Sequence, residues 1–318
     1  MLALRFGRHG PAVEEIHVPR PGPGEALVRV RLAGVCATDL EILKGYMGFQ
    51  GVLGHEFVGV VEGPAGHPLL GRRVVGEINC GCGACDWCAS GLERHCPKRT
   101  VLGILGRAGA FAEFLALPER NLHEVPAGAA DEAAVFCEPL AACFEPLAQR
   151  PELARSRVLV IGDGRLGLLQ AQVLRRAGAE VAVLGRHPAK LSLLEGLGIA
   201  RFTAPAEAGA EGRWPAVVEV TGTAGGFGLA LSLTAPRGLL VLKSTVAARE
   251  PLDLAPAVID EIEILGSRCG PFPPALEALA LGAVRTAPMI HARFPLAEGL
   301  EALRRAGERG TLKVLLAP

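Results

Sequence analysis

The chain of 318 residues is short of several things, and each shortage narrows its possible trade. It has no net charge, since Lys+Arg and Asp+Glu both number 33. Without a basic excess there is no global field to hold a polyanion, so nucleic acid and anionic membrane are not the expected partners. Uncharged apolar runs of about 18 residues, the length that crosses a bilayer, are missing. The opening MLALRFGRHG lacks the apolar stretch of a secretory signal, and the expectation is a cytoplasmic protein. Asn (two), Gln (four) and Met (three) are scarce, a composition compatible with a thermophilic source and equally with a GC-rich genome. Disorder is excluded by what is plentiful: half the residues are hydrophobic and 21% are charged. The length favours about two domains.

Nine cysteines stand at 36, 80, 82, 85, 88, 96, 137, 143 and 269. The odd number, with five crowded between Cys80 and Cys96, argues against a disulfide framework and for metal binding or chemistry in a reducing compartment. Cys82, Cys85, Cys88 and Cys96 form C-x2-C-x2-C-x7-C. Four thiolates from one loop suit a closed tetrahedral zinc site that leaves no position for substrate. Buried structural thiols are the plain alternative. The flanks, Gly81, Gly83, Asp86, Ser90 and Gly91, are too polar and turn-rich for a core segment. Cys80 falls outside the spacing and is the alternative to Cys82.

Residues 1 to about 135 read as short strands divided by Gly and Pro, among them Ala26 to Leu32, Phe57 to Glu62 and Arg73 to Ile78. A β-rich domain of the partly open barrel kind is expected there. From about 156 strand and helix alternate: buried strands at Arg157 to Ile161, Val181 to Leu184, Val217 to Val220, Leu239 to Lys243 and Ile262 to Leu265, and a helix from Leu166 to Ala177 capped by Gly178. This predicts an α/β fold with a doubly wound parallel sheet. Gly162, Gly164 and Gly167 form G-x-G-x-x-G, enclosing Arg165 and Leu166, between the first of those strands and the helix, which is the context a Rossmann dinucleotide turn requires.

Three separated segments carry further metal donors: GVCATD with Cys36, Thr38 and Asp39; GHEFVG with His55 and Glu56; and FCEPLA with Cys137 and Glu138. Each alone is weak, because a lone His is more often an ordinary hydrogen-bonded residue. Together, with the four-cysteine loop between the second and third, the sequence resembles the zinc-dependent medium-chain alcohol and polyol dehydrogenases over essentially its whole length. That resemblance implies a GroES-like catalytic domain at 1–140 and 268–318 and a Rossmann domain at 141–267. It implies Cys36, His55 and Glu138 as ligands of a catalytic zinc, with Cys137 and Cys143 competing for the third place. The implied activity is hydride transfer between an alcohol or polyol and NAD(P), in a homodimer or homotetramer. Thr38 would pass on the substrate proton, Asp39 would orient His55, and Glu56 would touch the metal transiently or tune its field. Glu41 stands where many relatives carry a relay histidine.

The end of the second Rossmann strand usually carries an acid for the ribose 2′-hydroxyl of NAD. Here the residues are Gly185, Arg186, His187 and, a turn later, Lys190. With no carboxylate at that place, a bare glycine and three basic side chains point to NADP, with NAD the alternative. Asp163 inside the glycine turn is expected to face away from phosphate. Lys313 matches a basic residue that touches pyrophosphate in relatives; its plainer reading is a solvated charge on an edge strand. Two other functions share the fold: a zinc-free quinone or enoyl reductase, and a nucleotide-binding protein with structural zinc only. Both are disfavoured by the presence of Cys36 and His55.

Overall fold

The structure, a computed structural model, describes residues 1–245 and 252–318. The chain divides into two compact units, Met1–Glu138 with Phe272–Pro318, and Pro139–Pro271.

The first unit is built on a sheet whose strands run in the order Leu122–Glu124, Arg73–Gly76, Glu56–Gly63, Glu25–Gly34, Lys313–Ala317, Ile290–Pro295, with Phe114–Pro118 also paired to Glu25–Gly34. The strand Glu25–Gly34 follows from its alternation: Ala26, Val28, Val30 and Leu32 are buried, while Arg29 and Arg31 face out. From Leu32 onward burial is continuous, because both faces are covered at this end. Gly34 pairs with Glu56, and Leu315 pairs with Gly34. The register therefore sets three chain ends side by side: the exit toward Cys36, the entry from His55, and the start of Lys313–Ala317. Lys313–Ala317 is an interior strand, so the edge-strand reading of Lys313 is overturned.

The second unit holds a six-stranded, wholly parallel sheet in the order Ala200–Phe202, Glu180–Leu184, Arg157–Ile161, Trp214–Glu219, Thr234–Leu242, Glu263–Gly266. Val158 to Ile161 are buried without alternation, as strands covered on both faces must be. Leu159, Ile161, Ala182, Leu184, Val217 and Leu240 form the core beneath the helices. The strand order reverses between Arg157–Ile161 and Trp214–Glu219, which in such sheets is where ligands bind beyond the carboxyl ends. The glycine turn lies at that point.

Candidate active site

Cys36 caps the helix Ala37–Leu43 in extended conformation, and the third helical residue, Asp39, turns back on it. Asp39 Oδ2 accepts the Cys36 N–H at 2.8 Å, and Oδ1 accepts the Gly54 N–H at 3.2 Å. Oδ1 also lies 3.3 Å from His55 Nδ1. A fully buried carboxylate needs such donors to offset its lost hydration. One side chain thus fixes both Cys36 and His55. Burial by itself disfavours charge on the His55 ring, but Asp39 and Cys36 outweigh it and hold the imidazole pKa well above its ordinary value. Thr38 is half-buried, its Oγ1 3.8 Å from the Cys36 sulfur.

Donor atoms of Cys36, His55 and Glu56 all lie within 4.8 Å of one another. Thiolate, imidazole and carboxylate are a zinc-type donor set, and the residues present fit that metal. Glu138, half-buried at the second residue of the helix Cys137–Gln149, lies outside this group. The two competing cysteines lie outside it as well. Cys137 is buried, and its thiol is pushed well up, first by burial and then by the charges of Glu138 and Glu77. The buried Cys143 thiol faces the Pro139 carbonyl oxygen at 3.3 Å.

Cys82, Cys85, Cys88 and Cys96 form a second donor group, again within 4.8 Å. The Cys85 sulfur stands 3.6 Å from those of Cys88 and Cys96. A tetrahedron with Zn–S of about 2.3 Å has an edge of about 3.8 Å, so the loop is spaced for zinc. The Cys82 thiol is pushed down to about 6 by the Ala84 N–H and by the neighbouring Cys96 and Cys85 thiols. Cys80 takes no part; it is buried in the strand Asn79–Cys80, and burial pushes its thiol up.

Lys313 is fully buried, and its ammonium pairs with the equally buried Glu56 Oε2. The Nζ also stands 5.2 Å from the centre of the Phe136 ring. The pyrophosphate contact expected of Lys313 is therefore corrected: its charge is committed to the carboxylate beside Cys36 and His55. Gly34 makes the space, since a β-carbon there would lie 2.7 Å from Glu56 Oε2 and 3.2 Å from Lys313 Nζ. No local signal in the sequence marks this pair, whose members are 257 residues apart. Glu41 is half-buried and pairs with Lys44 at 2.8 Å.

In the second unit the three glycines have separate tasks. Gly162 has φ +129°, and its N–H donates to the Leu184 carbonyl at 2.9 Å. Gly164 caps the helix Arg165–Ala177 with no heavy atom within 4 Å of a would-be β-carbon, leaving its backbone open to a ligand. Gly167 packs the helix on the turn, where a β-carbon would fall 2.0 Å from Gly162 O. A helix N-terminus behind an open glycine turn fits a pyrophosphate. Arg165 and Leu166, both half-buried, open that helix.

At the neighbouring strand end the sequence reading needs a second correction. Gly185 does not leave free room, because a β-carbon there would lie 2.5 Å from Asp163 Cβ and 2.8 Å from its Oδ2. Asp163 accepts the backbone N–H of His187 at 2.6 Å and meets its Nδ1 at 2.9 Å. A carboxylate does stand there, delivered from the glycine turn. Arg186 is exposed, and Lys190 is half-buried in the short helix Pro188–Leu191.

Comparison with known proteins bears on the whole chain. Residues 22–127 match the alcohol dehydrogenase GroES-like domain, and residues 166–282 match the zinc-binding dehydrogenase domain. A 2-dehydro-3-deoxy-L-galactonate 5-dehydrogenase of Pseudoalteromonas atlantica is 29% identical over 94% of this chain and 93% of its own. An L-threonine 3-dehydrogenase of Deinococcus deserti is 32% identical over 73% of this chain and 69% of its own. Among solved structures, a zinc-binding dehydrogenase of Sinorhizobium meliloti bound to NADP superposes with a TM-score of 0.90 at 29% identity, covering 100% of this chain and 99% of that one. L-Idonate 5-dehydrogenase of Escherichia coli does so with a TM-score of 0.91 at 26% identity, covering 100% and 98%. Two domain matches in the order that the donor groups and the glycine turn require, and relatives aligned from end to end, lead to one assignment: the chain belongs to the zinc-dependent medium-chain alcohol and polyol dehydrogenases, enzymes that move hydride between a hydroxyl-bearing substrate and a nicotinamide dinucleotide.

Proposed function

We propose that the protein oxidises an alcohol or polyol, or reduces the matching carbonyl, with NADP in preference to NAD, using two zinc ions of unlike role per chain. The observation that carries this reading is the gathering of Cys36, His55 and Glu56 within 4.8 Å around a buried, fully engaged Asp39. The first unit is the catalytic zinc-binding domain and the second the dinucleotide-binding domain. The catalytic zinc ligands are Cys36, His55 and Glu138, and the structural ligands are Cys82, Cys85, Cys88 and Cys96. When bound, zinc supplies Lewis acidity toward the substrate oxygen, and the nicotinamide supplies the hydride acceptor.

The chain's own residues do the rest. Asp39 holds two ligands in place through the backbone and faces the His55 ring, so the donor set is formed before metal enters. Thr38, beside the Cys36 sulfur, has a hydroxyl that both accepts and donates, which suits it to take the proton from the substrate hydroxyl. Glu56 brings a negative charge to the donors, and Lys313 balances it. Gly162, Gly164, Arg165, Leu166 and Gly167 hold the pyrophosphate, and Gly185, Arg186, His187 and Lys190 form the seat of the adenosine ribose.

The relatives' names direct the substrate search to polyols and hydroxy acids. No helix among the described residues is long and apolar enough to cross a membrane, and we place the enzyme in the cytoplasm as a homodimer or homotetramer. The test is metal analysis of the purified protein together with a screen of alcohols, polyols and aldoses against both cofactors. Two zinc ions per chain and NADP-dependent turnover are expected. One zinc or none in active protein would overturn the reading.

A further inference from the structure

The parallel sheet sets together two loops that lie 24 residues apart in sequence. Ile161 pairs with Leu184, so the glycine turn and the segment after the next strand leave the sheet as neighbours. Asp163 bridges them. Its carboxylate accepts the His187 backbone N–H at 2.6 Å and faces the ring Nδ1 at 2.9 Å. A carboxylate only accepts, so Nδ1 is the donor and Nε2 is left on the opposite edge of the ring. The Asp163 side chain is 11% exposed and that of His187 37%, so the anchor lies inside and the imidazole is the part open to solvent.

The same carboxylate keeps position 185 bare, since any β-carbon would collide with Asp163 Cβ at 2.5 Å. An acid on the strand end, which would repel a phosphate, is thereby excluded by packing. Asp163 itself is a poor substitute for that acid, because its oxygens already serve two donors of His187. The exposed Arg186 adjoins this ring in sequence, and Lys190 follows one turn later.

We propose that Asp163 is a positioning residue for cofactor choice: it bars a side chain from position 185 and sets His187, which follows Arg186 in the chain, to receive the 2′-phosphate of NADP(H). Receiving the phosphate at Nε2 requires the ring to carry a proton on each nitrogen, one donated to Asp163 and one to the phosphate, an arrangement that NAD(H), lacking the phosphate, does not complete. This inference rests on the NADP reading above but can fail separately from it.

The experiment measures NADPH and NADH dissociation constants by calorimetry on the full-length, zinc-loaded protein. Wild type is compared with Asp163→Ala, Asp163→Asn, His187→Gln and the Asp163→Ala/His187→Gln double variant. Wild type is expected to bind NADPH at least tenfold more tightly than NADH. Asp163→Ala and His187→Gln should each weaken NADPH about tenfold and leave NADH within about twofold. The double variant should be no weaker than His187→Gln alone, the mark of one residue acting through the other. Asp163→Asn, which keeps an acceptor for the His187 N–H, should recover part of the loss. If wild type prefers NADPH and Asp163→Ala keeps the ratio, the positioning role is overturned and the NADP reading stands. If wild type prefers NADH, both fall, and a loss of NADH alone in Asp163→Ala would make Asp163 the ribose ligand. Should Asp163→Ala fail to fold, His187→Gln at its half-exposed site decides: an unchanged ratio overturns the proposal.

Discussion

Replacing Lys313 by Met isolates the energetics of the charge pair beside the metal donors. Both partners of the Lys313–Glu56 pair are 0% exposed. Met nearly matches the aliphatic stem of Lys, so the packing against Phe136 is largely retained while the ammonium is lost. Glu56 is then left buried without its cation. Breaking one side of a buried pair costs about 3–5 kcal/mol, because the remaining charge cannot be rehydrated. The cation–π contact with Phe136 adds roughly 1–2 kcal/mol. Relaxation recovers part of the total, and a net loss of about 4 kcal/mol is expected. At about 2–4 °C per kcal/mol for a domain of this size, the melting temperature should fall by roughly 10 °C. The assay is scanning calorimetry of wild type, Lys313→Met, Glu56→Gln and the double variant. Neutralising both partners removes the uncompensated charge, so the double variant should return to within about 2 kcal/mol of wild type, the lost cation–π contact accounting for the remainder. A Lys313→Met melting point within about 2 °C of wild type, or a double variant whose loss equals both single losses combined, would refute the reasoning.

Three further outcomes follow from the same geometry. Cys88→Ser should lower thermal stability sharply and reduce the zinc content by one, because metal bound by four thiolates contributes folding energy of about 10–16 kcal/mol in zinc-finger peptides; atomic absorption and calorimetry on the same sample check it. Glu138→Ala should cost both catalytic zinc affinity and rate, whereas Cys137→Ala should leave metal content unchanged; metal titration of the two variants separates Glu138 from its competitor. Asp131 accepts from Arg31 at 2.6 Å and Arg73 at 2.8 Å; burial tends to raise its pKa, but the two guanidinium groups overcome this and hold it below the usual carboxylate range. A lowered folded pKa stabilises above the unfolded value of about 3.9 and is lost as pH falls through the folded one. Asp131→Asn should therefore cost about 1 kcal/mol near neutrality, discounted for the partly exposed arginines, and progressively less in acid; urea melts across pH read it.

What was legible in the sequence is what short stretches of chain determine. The four-cysteine loop could be read because its donors lie within one turn-rich segment, and the glycine turn because its strand and helix flank it directly. The strand Glu25–Gly34 announced itself through period-two burial. Cys36 and His55 needed the family likeness, since only the pairing of Gly34 with Glu56 brings them together. The failures share a cause. The contact of Asp163 with Gly185 and His187 depends on the register of two parallel strands, and reading the strand end alone suggested open space where a carboxylate sits. A charged residue in LKVLL looks solvated until the strand order places Lys313–Ala317 between two neighbours and Lys313 against Glu56.

The division of the first unit into two chain segments has a consequence for how the protein is made. Its sheet seats the strand Lys313–Ala317 between Glu25–Gly34 and Ile290–Pro295, and all of Pro139–Pro271 is translated before either late strand exists. At about 5–20 residues per second, the ribosome delivers the whole parallel sheet of the second unit roughly 3–10 seconds before the last strand of the first unit. Until then the Ala33–Gly34 end of the strand Glu25–Gly34 lacks its late neighbour, and Glu56 has no buried cation to meet. The nascent enzyme thus passes through an interval in which its nucleotide half is complete and its metal half still depends on a strand that has not emerged. That interval, rather than the stability of the finished molecule, is where a chaperone would find its substrate.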